Sequence, residues 1–439
     1  MIAPTRDCAA AEVASRDPWA NAALEVLRLL FGGSFASDFG VELWDGTRVR
    51  GAKAERFVLQ VNAPGALRLA FTPPVDLSTG RAFGAGLLDA RGDLESAVDA
   101  FYRVGRMAGP LRMVRMLAAL RRLPAMPPPE LHEAKLHGGR HSRARDRAAI
   151  GFHYDQPVEF YRTFLGREMN YSSAYFDEDC ETLDAAQSAK MDYVLRKLRL
   201  RPGERLLDVG CGWGGLVLRA AQRFGAHVLG ITLSARQLEE ARRRIADGGV
   251  FDRARVELRD YRDLRGERFD KVVSIGMFEH VGRAKLPEYF RAIYRALRPG
   301  GLFLNTGISH QDLRSTGKVT GFMDRLIFPD GELVPISEAL NFSERAGFEV
   351  RDVESLREHY MRTTREWVAN LERNRAAAVA AAGDVTYRLW RLYLAGSAQG
   401  FRIGRIGIYQ SLLARPRAGG FVELPATRRD LYAGEVAGG

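Results

Sequence analysis

Cysteine is scarce in this chain: Cys8, Cys180 and Cys211 are the only three in 439 residues, far apart and at no zinc-ligand spacing. Neither a disulfide framework nor a metal site is indicated. Long apolar runs are also missing; none approaches the roughly 18 uninterrupted residues of a membrane-spanning helix. The opening stretch, MIAPTRDCAAAEVASRD, lacks the apolar core of a signal peptide. The expectation is a cytoplasmic protein that meets a membrane at its surface or not at all. Acidic residues are in deficit, 54 Asp and Glu against 65 Lys and Arg, for a net charge of +11. Such an excess points to an anionic partner, whether nucleic acid, acidic small molecules or anionic lipid, and does not choose among them.

What is present begins with a glycine-rich turn. Arg205 to Gly215 reads RLLDVGCGWGG, an apolar run ending in Gly210, Gly212, Gly214 and Gly215. A turn of this kind, leaving a buried strand and opening a helix, lets a nucleotide-like ligand approach the backbone. A dinucleotide fingerprint wants G-x-G-x-x-G and a carboxylate at the end of the second strand. Here the spacing is G-x-G-x-G and the second strand, His227 to Thr232, ends in Thr232. A nicotinamide enzyme is disfavoured and an adenosylmethionine-binding turn favoured. Asp208, inside the first strand, has a purely structural alternative as the cap of the helix beginning near Trp213.

The length suits two or three domains. Gly40 to Gly51 has Asp45-Gly46 at a hairpin turn, Arg56 to Phe71 reads as further extended segments, and Asp93 to Val104 and Leu111 to Leu123 read as helices. The last of these, LRMVRMLAALRRL, mixes apolar residues with Arg112, Arg115, Arg121 and Arg122; it suits an anionic bilayer surface or, equally, a domain face with exposed arginines. Pro124 to Arg147 is proline-rich and then basic, a linker composition. The expected division is an α+β domain over 1–123, a linker over 124–148 and a catalytic domain over 149–439. Beyond the linker, strands alternate with helices: Arg205 to Val209, His227 to Thr232, Arg255 to Asp260, Phe269 to Met277, Gly301 to Thr306 and Phe348 to Ser355. Such alternation predicts a parallel sheet whose strand tips, near Gly210, Thr232, Asp260 and Glu279, surround one pocket.

Several residues stand at those tips. Ser234 and Gln237 form a capping box, which explains both without a ligand, although Gln237 is also placed to touch a cofactor. Tyr261 can stack on an adenine or cover the sheet edge. In SIGMFEHVG, Glu279 and His280 follow an apolar strand where an unpartnered charge is costly, which marks a candidate catalytic site.

Together, HYDQPVEFYRTFLGREMNYSSAYF (153–176), LLDVGCGWGG (206–215), GITLSARQ (230–237), DYRDL (260–264), MFEHVG (277–282), IFPDG (327–331), HYMRTTREW (359–367) and LAGSAQGFRIGRIGIYQ (394–410) resemble the cyclopropane-fatty-acyl-phospholipid and mycolic acid cyclopropane synthases. The segment FGAGLLDARGDLESAVDAF (83–101) resembles the smaller extra domain of the phospholipid-acting members.

That resemblance implies a class I, Rossmann-like methyltransferase with a doubly wound sheet, a helical lipid-binding cap and a smaller α+β N-terminal domain. It implies S-adenosylmethionine as cofactor, contacted by Tyr171, Ser172, Asp208, Gly210, Gly212, Gly214, Gly215, Thr232, Gln237, Tyr261 and Arg262. The implied reaction is attack of a phospholipid acyl alkene on the sulfonium methyl, followed by proton loss from the cation to close a cyclopropane ring. The implied setting is peripheral, at the inner face of an anionic membrane; nucleic acid is not expected, and a homodimer is left open. Tyr387, Trp390, Tyr393, Phe401 and Tyr409 are expected to line an acyl tunnel or to pack in a core.

The family holds a bicarbonate ion as proton acceptor, and at that place Glu279 and Tyr360 match. The other positions depart from the pattern: Ser173 and Ser397 stand where the family has cysteine, and Asn305 where it has histidine. Asparagine can hydrogen-bond an anion but carries no charge and relays no proton near neutrality; His310, five residues on, is a candidate substitute. Methyl transfer without ring closure, giving a methylene or methyl-branched chain, is therefore the alternative outcome. A non-catalytic lipid- or cofactor-binding relative is the alternative of a different class.

Overall fold

The computed structural model describes residues 16–31, 38–51, 53–107, 110–177, 182–312 and 317–432; Cys8 and Cys180 lie outside them. The chain divides into two compact units, one of residues 1–132 with Asp384–Gln399, the other of Glu133–Gly383 with Gly400–Gly439.

In the first unit, β1 (Phe39–Leu43), β2 (Arg48–Val49), β3 (Phe57–Val61) and β4 (Leu88–Gly92) form a sheet in the order β2-β1-β3-β4. The hairpin forms where expected: Val41 pairs Val49, Gly46 takes φ +84°, and the Thr47 amide donates to Asp45 Oδ1 at 3.0 Å. The stretch from Arg56 is extended only to Val61, and Ala66–Ala70 is a helical turn that buries Leu67 and Leu69. The Pro18–Phe31 helix buries Ala20, Ala23, Leu24, Leu27 and Leu30, the 3.6-residue stripe of a core-facing helix.

The helical segment Asp384–Gln399 belongs to this unit, so the expected continuous catalytic run 149–439 is interrupted. Arg391 pairs with Asp89 of β4 at 2.9 Å and Gln399 Nε2 donates to Asp99 at 3.1 Å, while Gly383 (φ +85°, ψ +158°) breaks the Arg375–Arg402 helix at the unit boundary. The expected linker also differs. Residues 124–142 carry no helix or strand, but Arg143–Tyr154 is a helix of the second unit. The basic residues that read as linker are ion-paired there: Arg143 with Asp263 at 2.8 Å, and Arg145 with Asp330 at 2.5 Å.

The second unit is built on seven strands: β5 (Arg205–Val209), β6 (His227–Thr232), β7 (Ala254–Leu258), β8 (Phe269–Ile275), β9 (Leu297–His310), β10 (Glu349–Ser355) and β11 (Ile406–Ala414). Their order is β10-β11-β9-β8-β5-β6-β7; β5 to β9 are parallel, and β11 runs antiparallel to both β9 and β10. The motif at 394–410 runs from the end of a helix into Ile406–Ala414, a buried strand whose Leu412 and Leu413 reach opposite faces of the sheet.

Strands covered on both faces read as apolar runs, and this accounts for the legibility of β5 and β8. Leu206, Val256 and Leu304 join Val217 and Ala220 in one core; Leu207, Val272 and Phe303 join Tyr289 and Phe290 in the other. Strand order reverses between β5 and β8, and at such a switch point the connecting loops diverge and leave a crevice. Among the described residues no helix is long and apolar enough to cross a membrane.

Candidate active site

The β5 turn is built from backbone. Gly210, Gly212 and Gly214 take φ of +82°, +54° and +80°, and the Gly210 and Cys211 amides both donate to the Ile231 carbonyl, at 2.9 and 3.0 Å, tying the turn to β6. The four glycines then separate by role. Gly210 and Gly212 line the crevice. A Cβ on Gly214 would lie 3.0 Å from Ala241 Cβ, and one on Gly215 would lie 2.8 Å from Asn170 Oδ1 and the Glu168 carbonyl, so these two permit close packing of the Gly215–Phe224 helix. That helix is capped by Gly214 without a side-chain bond, so Asp208 is not its cap.

The crevice opens to solvent at the tips of β5, β6 and β8. Of the eleven residues implied as cofactor contacts, Tyr171, Ser172, Asp208, Gly210, Gly212, Thr232, Gln237 and Tyr261 line it. Thr232 Oγ1 donates to Gln237 Oε1 at 2.7 Å and accepts from the Ser234 amide, while Ser234 Oγ accepts from the Gln237 amide at 3.2 Å. Ser234 therefore caps the helix as expected, but the reciprocal half of the capping box does not form: the Ser234 amide and the Gln237 side-chain oxygen are both taken by Thr232 Oγ1, and Gln237 lines the crevice. Arg262 does not line it. Its guanidinium pairs with Asp260 at 2.6 Å and Asp146 at 2.9 Å, which fixes Asp260, a residue that does.

The sequence reading missed three parts of this wall. Tyr154 and Trp213 line the crevice beside Tyr171, and Tyr171 packs 5.2 Å from Trp367. Lys190, on the Leu183–Lys197 helix, also lines it, with its Nζ donating to Ser172 Oγ at 3.0 Å. A signal was available, since Gln187, Lys190, Met191 and Val194 form a buried i, i+3, i+4, i+7 stripe, an anomalous place for lysine. Burial pushes Lys190 down to about 8, opposed by the charges of Asp208 and Glu168; burial pushes Asp208 up to about 7, opposed by Lys190.

Around Glu279 the arrangement is looser. Glu279 Oε1 accepts from the Ile308 amide at 2.7 Å, and its buried Oε2 has no hydrogen-bond partner among the described residues. Burial pushes this carboxyl up to about 7, the main-chain bond from Ile308 opposing. His280 lines the crevice with Nε2 3.3 Å from Tyr154 Oη; burial, then the neighbouring His153 and His141, push it down to about 3, so it is neutral.

Asn305, Ser173 and Tyr360 are not among the residues that line the crevice. Asn305 Oδ1 accepts from Tyr289 Oη at 3.1 Å. Ser173 Oγ donates to the Ala174 carbonyl at 2.9 Å, and Tyr360 is buried against Phe401 with ring centres 4.7 Å apart. Ser397 belongs to the first unit, where its hydroxyl donates to the Tyr393 carbonyl one helical turn back. Among the five, Glu279 Oε2 is a buried oxygen without a hydrogen-bond partner among the described residues. His310 is buried at the end of β9 with both ring nitrogens unpartnered among the described residues. Of the aromatics expected along a tunnel, Tyr387, Trp390 and Tyr393 belong to the first unit; Phe401 and Tyr409 belong to the second, and Tyr409 Oη accepts from Gln311 at 3.0 Å.

The chain was compared with known proteins. The mycolic acid cyclopropane synthetase family matches residues 141–411. A probable fatty acid methyltransferase of Pseudomonas putida is 42% identical over 396 residues, 89% of this chain and 95% of that protein. One of Mycobacterium tuberculosis is 37% identical over 84% of this chain and 89% of its own length. The crystal structure of the mycolic acid cyclopropane synthase CmaA1, complexed with SAH and CTAB, superposes with a TM-score of 0.58 at 35% identity, over 61% of this chain and 97% of that one. The chain thus belongs to the mycolic acid cyclopropane synthetase family and is an S-adenosylmethionine-dependent methyltransferase of the class I fold.

Proposed function

We propose that the enzyme methylates the double bond of an unsaturated acyl chain carried by a phospholipid, and that the product keeps its unsaturation as a methylene or methyl-branched chain. The cofactor supplies an electrophilic methyl group. An alkene is a weak nucleophile, so the protein must hold it in line and keep water from the resulting cation. The aromatic wall of Tyr154, Tyr171 and Trp213 suits that task, because ring faces attract positive charge and exclude water. Neutral His280 adds no repelling charge beside it. The likeness over nearly the whole chain to two probable fatty acid methyltransferases supports an acyl substrate.

The observation that carries the uncyclised outcome is Asn305. Where ring closure in the family uses a histidine beside the glutamate, this chain has an uncharged amide whose oxygen is taken by Tyr289. The test is mass spectrometry of phospholipids from cells making the protein and fed methyl-deuterated methionine, before and after hydrogenation that spares cyclopropanes. A labelled one-carbon gain that takes up hydrogen supports the proposal. A labelled gain that resists reduction assigns cyclopropanation instead, and no gain brings forward the binding-only alternative.

A peripheral location at an anionic membrane is part of the same proposal. On the Pro110–Arg121 helix, Leu111, Val114 and Leu117 are 80%, 65% and 45% exposed, and Arg115 and Arg121 are exposed beside them. An apolar stripe flanked by arginines suits a bilayer surface, with the guanidinium groups at the headgroups. Changing Arg115 and Arg121 to Glu should abolish flotation with liposomes containing phosphatidylglycerol; unchanged flotation removes this part of the proposal.

A further inference from the structure

The loop that carries Tyr171 and Ser172 into the crevice is held from two sides. On one side stands the Leu183–Lys197 helix: Gln187 Nε2 donates to the Ser172 carbonyl at 2.9 Å, and the Tyr175 amide donates to the Ala186 carbonyl at 3.1 Å. On the other stands the Arg357–Arg373 helix. There the Ala174 amide donates to Thr363 Oγ1 at 3.0 Å and the Phe176 amide to His359 Nδ1 at 3.0 Å. His359 and Thr363 are four residues apart, so both meet the loop from one face of the helix. The same helix carries Tyr360, and its Trp367 packs against Tyr171.

The two acceptors differ in kind. Thr363 gives its own proton to the His359 carbonyl at 2.7 Å, which leaves its oxygen able to accept at any pH. An imidazole nitrogen accepts only while it carries no proton, and an amide only donates, so the bond from Phe176 fixes His359 as the neutral tautomer protonated at Nε2. Protonation of Nδ1 would set two N–H groups against each other. The ring is half-buried and stacked on Tyr175 at 4.7 Å, and Tyr175 is stacked in turn on Tyr193. The charges around it are those of Glu354 on β10, Glu358 and Arg362 on its own helix and Asp177 on the loop. Burial holds its pKa below the ordinary value, with Arg362 acting in the same sense and the three carboxylates opposing. Glu354 is itself engaged by Tyr193 Oη at 3.0 Å and by Lys197.

We propose that His359 is a positioning residue whose neutral ring holds the loop bearing Tyr171 and Ser172 against the Arg357–Arg373 helix, and that its protonation releases the loop and weakens cofactor binding. Affinity is full while the ring is neutral and falls as the pH drops through its titration. The effect is independent of the acyl substrate.

The test is calorimetric titration of the purified full-length protein with S-adenosylhomocysteine between about pH 7.5 and 4.5, beside His359→Asn and His359→Leu. Asparagine offers an amide oxygen in place of Nδ1 and does not titrate; leucine offers no acceptor. At about pH 7.5 His359→Asn should bind within about threefold of the unaltered protein, and His359→Leu about five- to twentyfold more weakly, the cost of leaving one buried donor unpaired. On acidification the unaltered protein should lose about that same factor relative to His359→Asn. Asp208, Lys190 and Glu279 are present in all three proteins, so the ratio of affinities isolates His359.

A ratio that does not change with pH would overturn the proposal, as would equal binding by the two variants at about pH 7.5. If the variants fail to fold, the unaltered protein labelled with 15N-phenylalanine decides the matter. Its Phe176 amide resonance should move as the acceptor is lost; one that stays in place down to about pH 4.5 would overturn the proposal as well.

Discussion

The two ends of the catalytic centre are built differently. At the cofactor end most polar groups hold one another: Thr232 with Gln237 and Ser234, Arg262 with Asp260 and Asp146, and the glycine turn with the Ile231 carbonyl, while the Asp208 carboxylate and Trp213 Nε1 stand outside that network. Around Glu279, buried Glu279 Oε2, Thr306 Oγ1, Ser309 Oγ and both nitrogens of His310 have no hydrogen-bond partner among the described residues. A satisfied network fixes one geometry, because every displacement breaks bonds in a low-dielectric interior. A partly satisfied one leaves groups whose protonation and partners depend on what enters. Substitution at the first end should therefore remove binding, and at the second should redirect chemistry with binding intact.

The largest effect is expected where the cofactor end has no room. The Cβ of Gly215→Val would fall 2.8 Å from the Glu168 carbonyl, a backbone group that cannot swing aside. S-adenosylhomocysteine affinity should drop more than about 100-fold in a protein that keeps its far-ultraviolet dichroism, a loss of the size that steric overpacking produces. Affinity within tenfold of the unaltered protein would show that the turn is softer than its contacts indicate.

Asn305→His probes the other end. It should turn a large share of the product to cyclopropane, read by the hydrogenation assay, with S-adenosylhomocysteine affinity within about twofold because Asn305 does not itself line the crevice. Unchanged rate and product would show that Asn305 does not determine the outcome.

Glu279→Gln is read as stability against pH. Burial raises the folded pKa from 4.5 to about 7, so the folded protein keeps a proton that the unfolded chain releases. Between pH 4.5 and 7, stability from this group falls as pH rises, at up to about 1.4 kcal/mol per unit. The variant should thus gain on the unaltered protein by on the order of 1–3 kcal/mol in denaturant melts at pH 7.5 relative to pH 5. His280, lowered by burial, loses stability in the opposite direction as pH falls below 6.5, and this contribution is shared by both proteins. A gap independent of pH would mean that Glu279 is ionised in the folded protein throughout.

The smallest change is expected from Thr232→Val, which removes one donor from a network with other members. It should weaken S-adenosylhomocysteine about three- to tenfold, the worth of one neutral hydrogen bond. A loss as large as that of Gly215→Val would show that the pair does more than orient Gln237.

Much of this was readable before any coordinates. The strands β5, β6 and β8, the Ser234 cap and the Asp45-Gly46 hairpin rest on neighbouring residues and on short periodicities, which the chain displays directly. Of the eight cofactor residues found, Asp208, Gly210, Gly212, Thr232 and Tyr261 lie at or just past strand ends, where an α/β sheet places its ligand, whereas Tyr171 and Ser172 rested on the resemblance alone. Lys190 escaped because a lysine in a helix reads as solvated unless its neighbours on the buried stripe are counted. Tyr360, Ser173 and Ser397 were assigned by position in a motif, which does not report whether a side chain is already engaged elsewhere.

By itself, then, the sequence determined the glycine turn, the alternation of strands and helices and the place of the crevice, because local backbone preference and apolar periodicity carry them. The tertiary structure decided that β11 enters the sheet between β9 and β10, that Asp384–Gln399 joins the first unit, and that Tyr289 takes the Asn305 oxygen. It also decided that Lys190 and Asp208 face one crevice. The first two join segments roughly a hundred or more residues apart in the chain. The last two turn on which side of an element faces which neighbour, and that is settled only when the elements pack together.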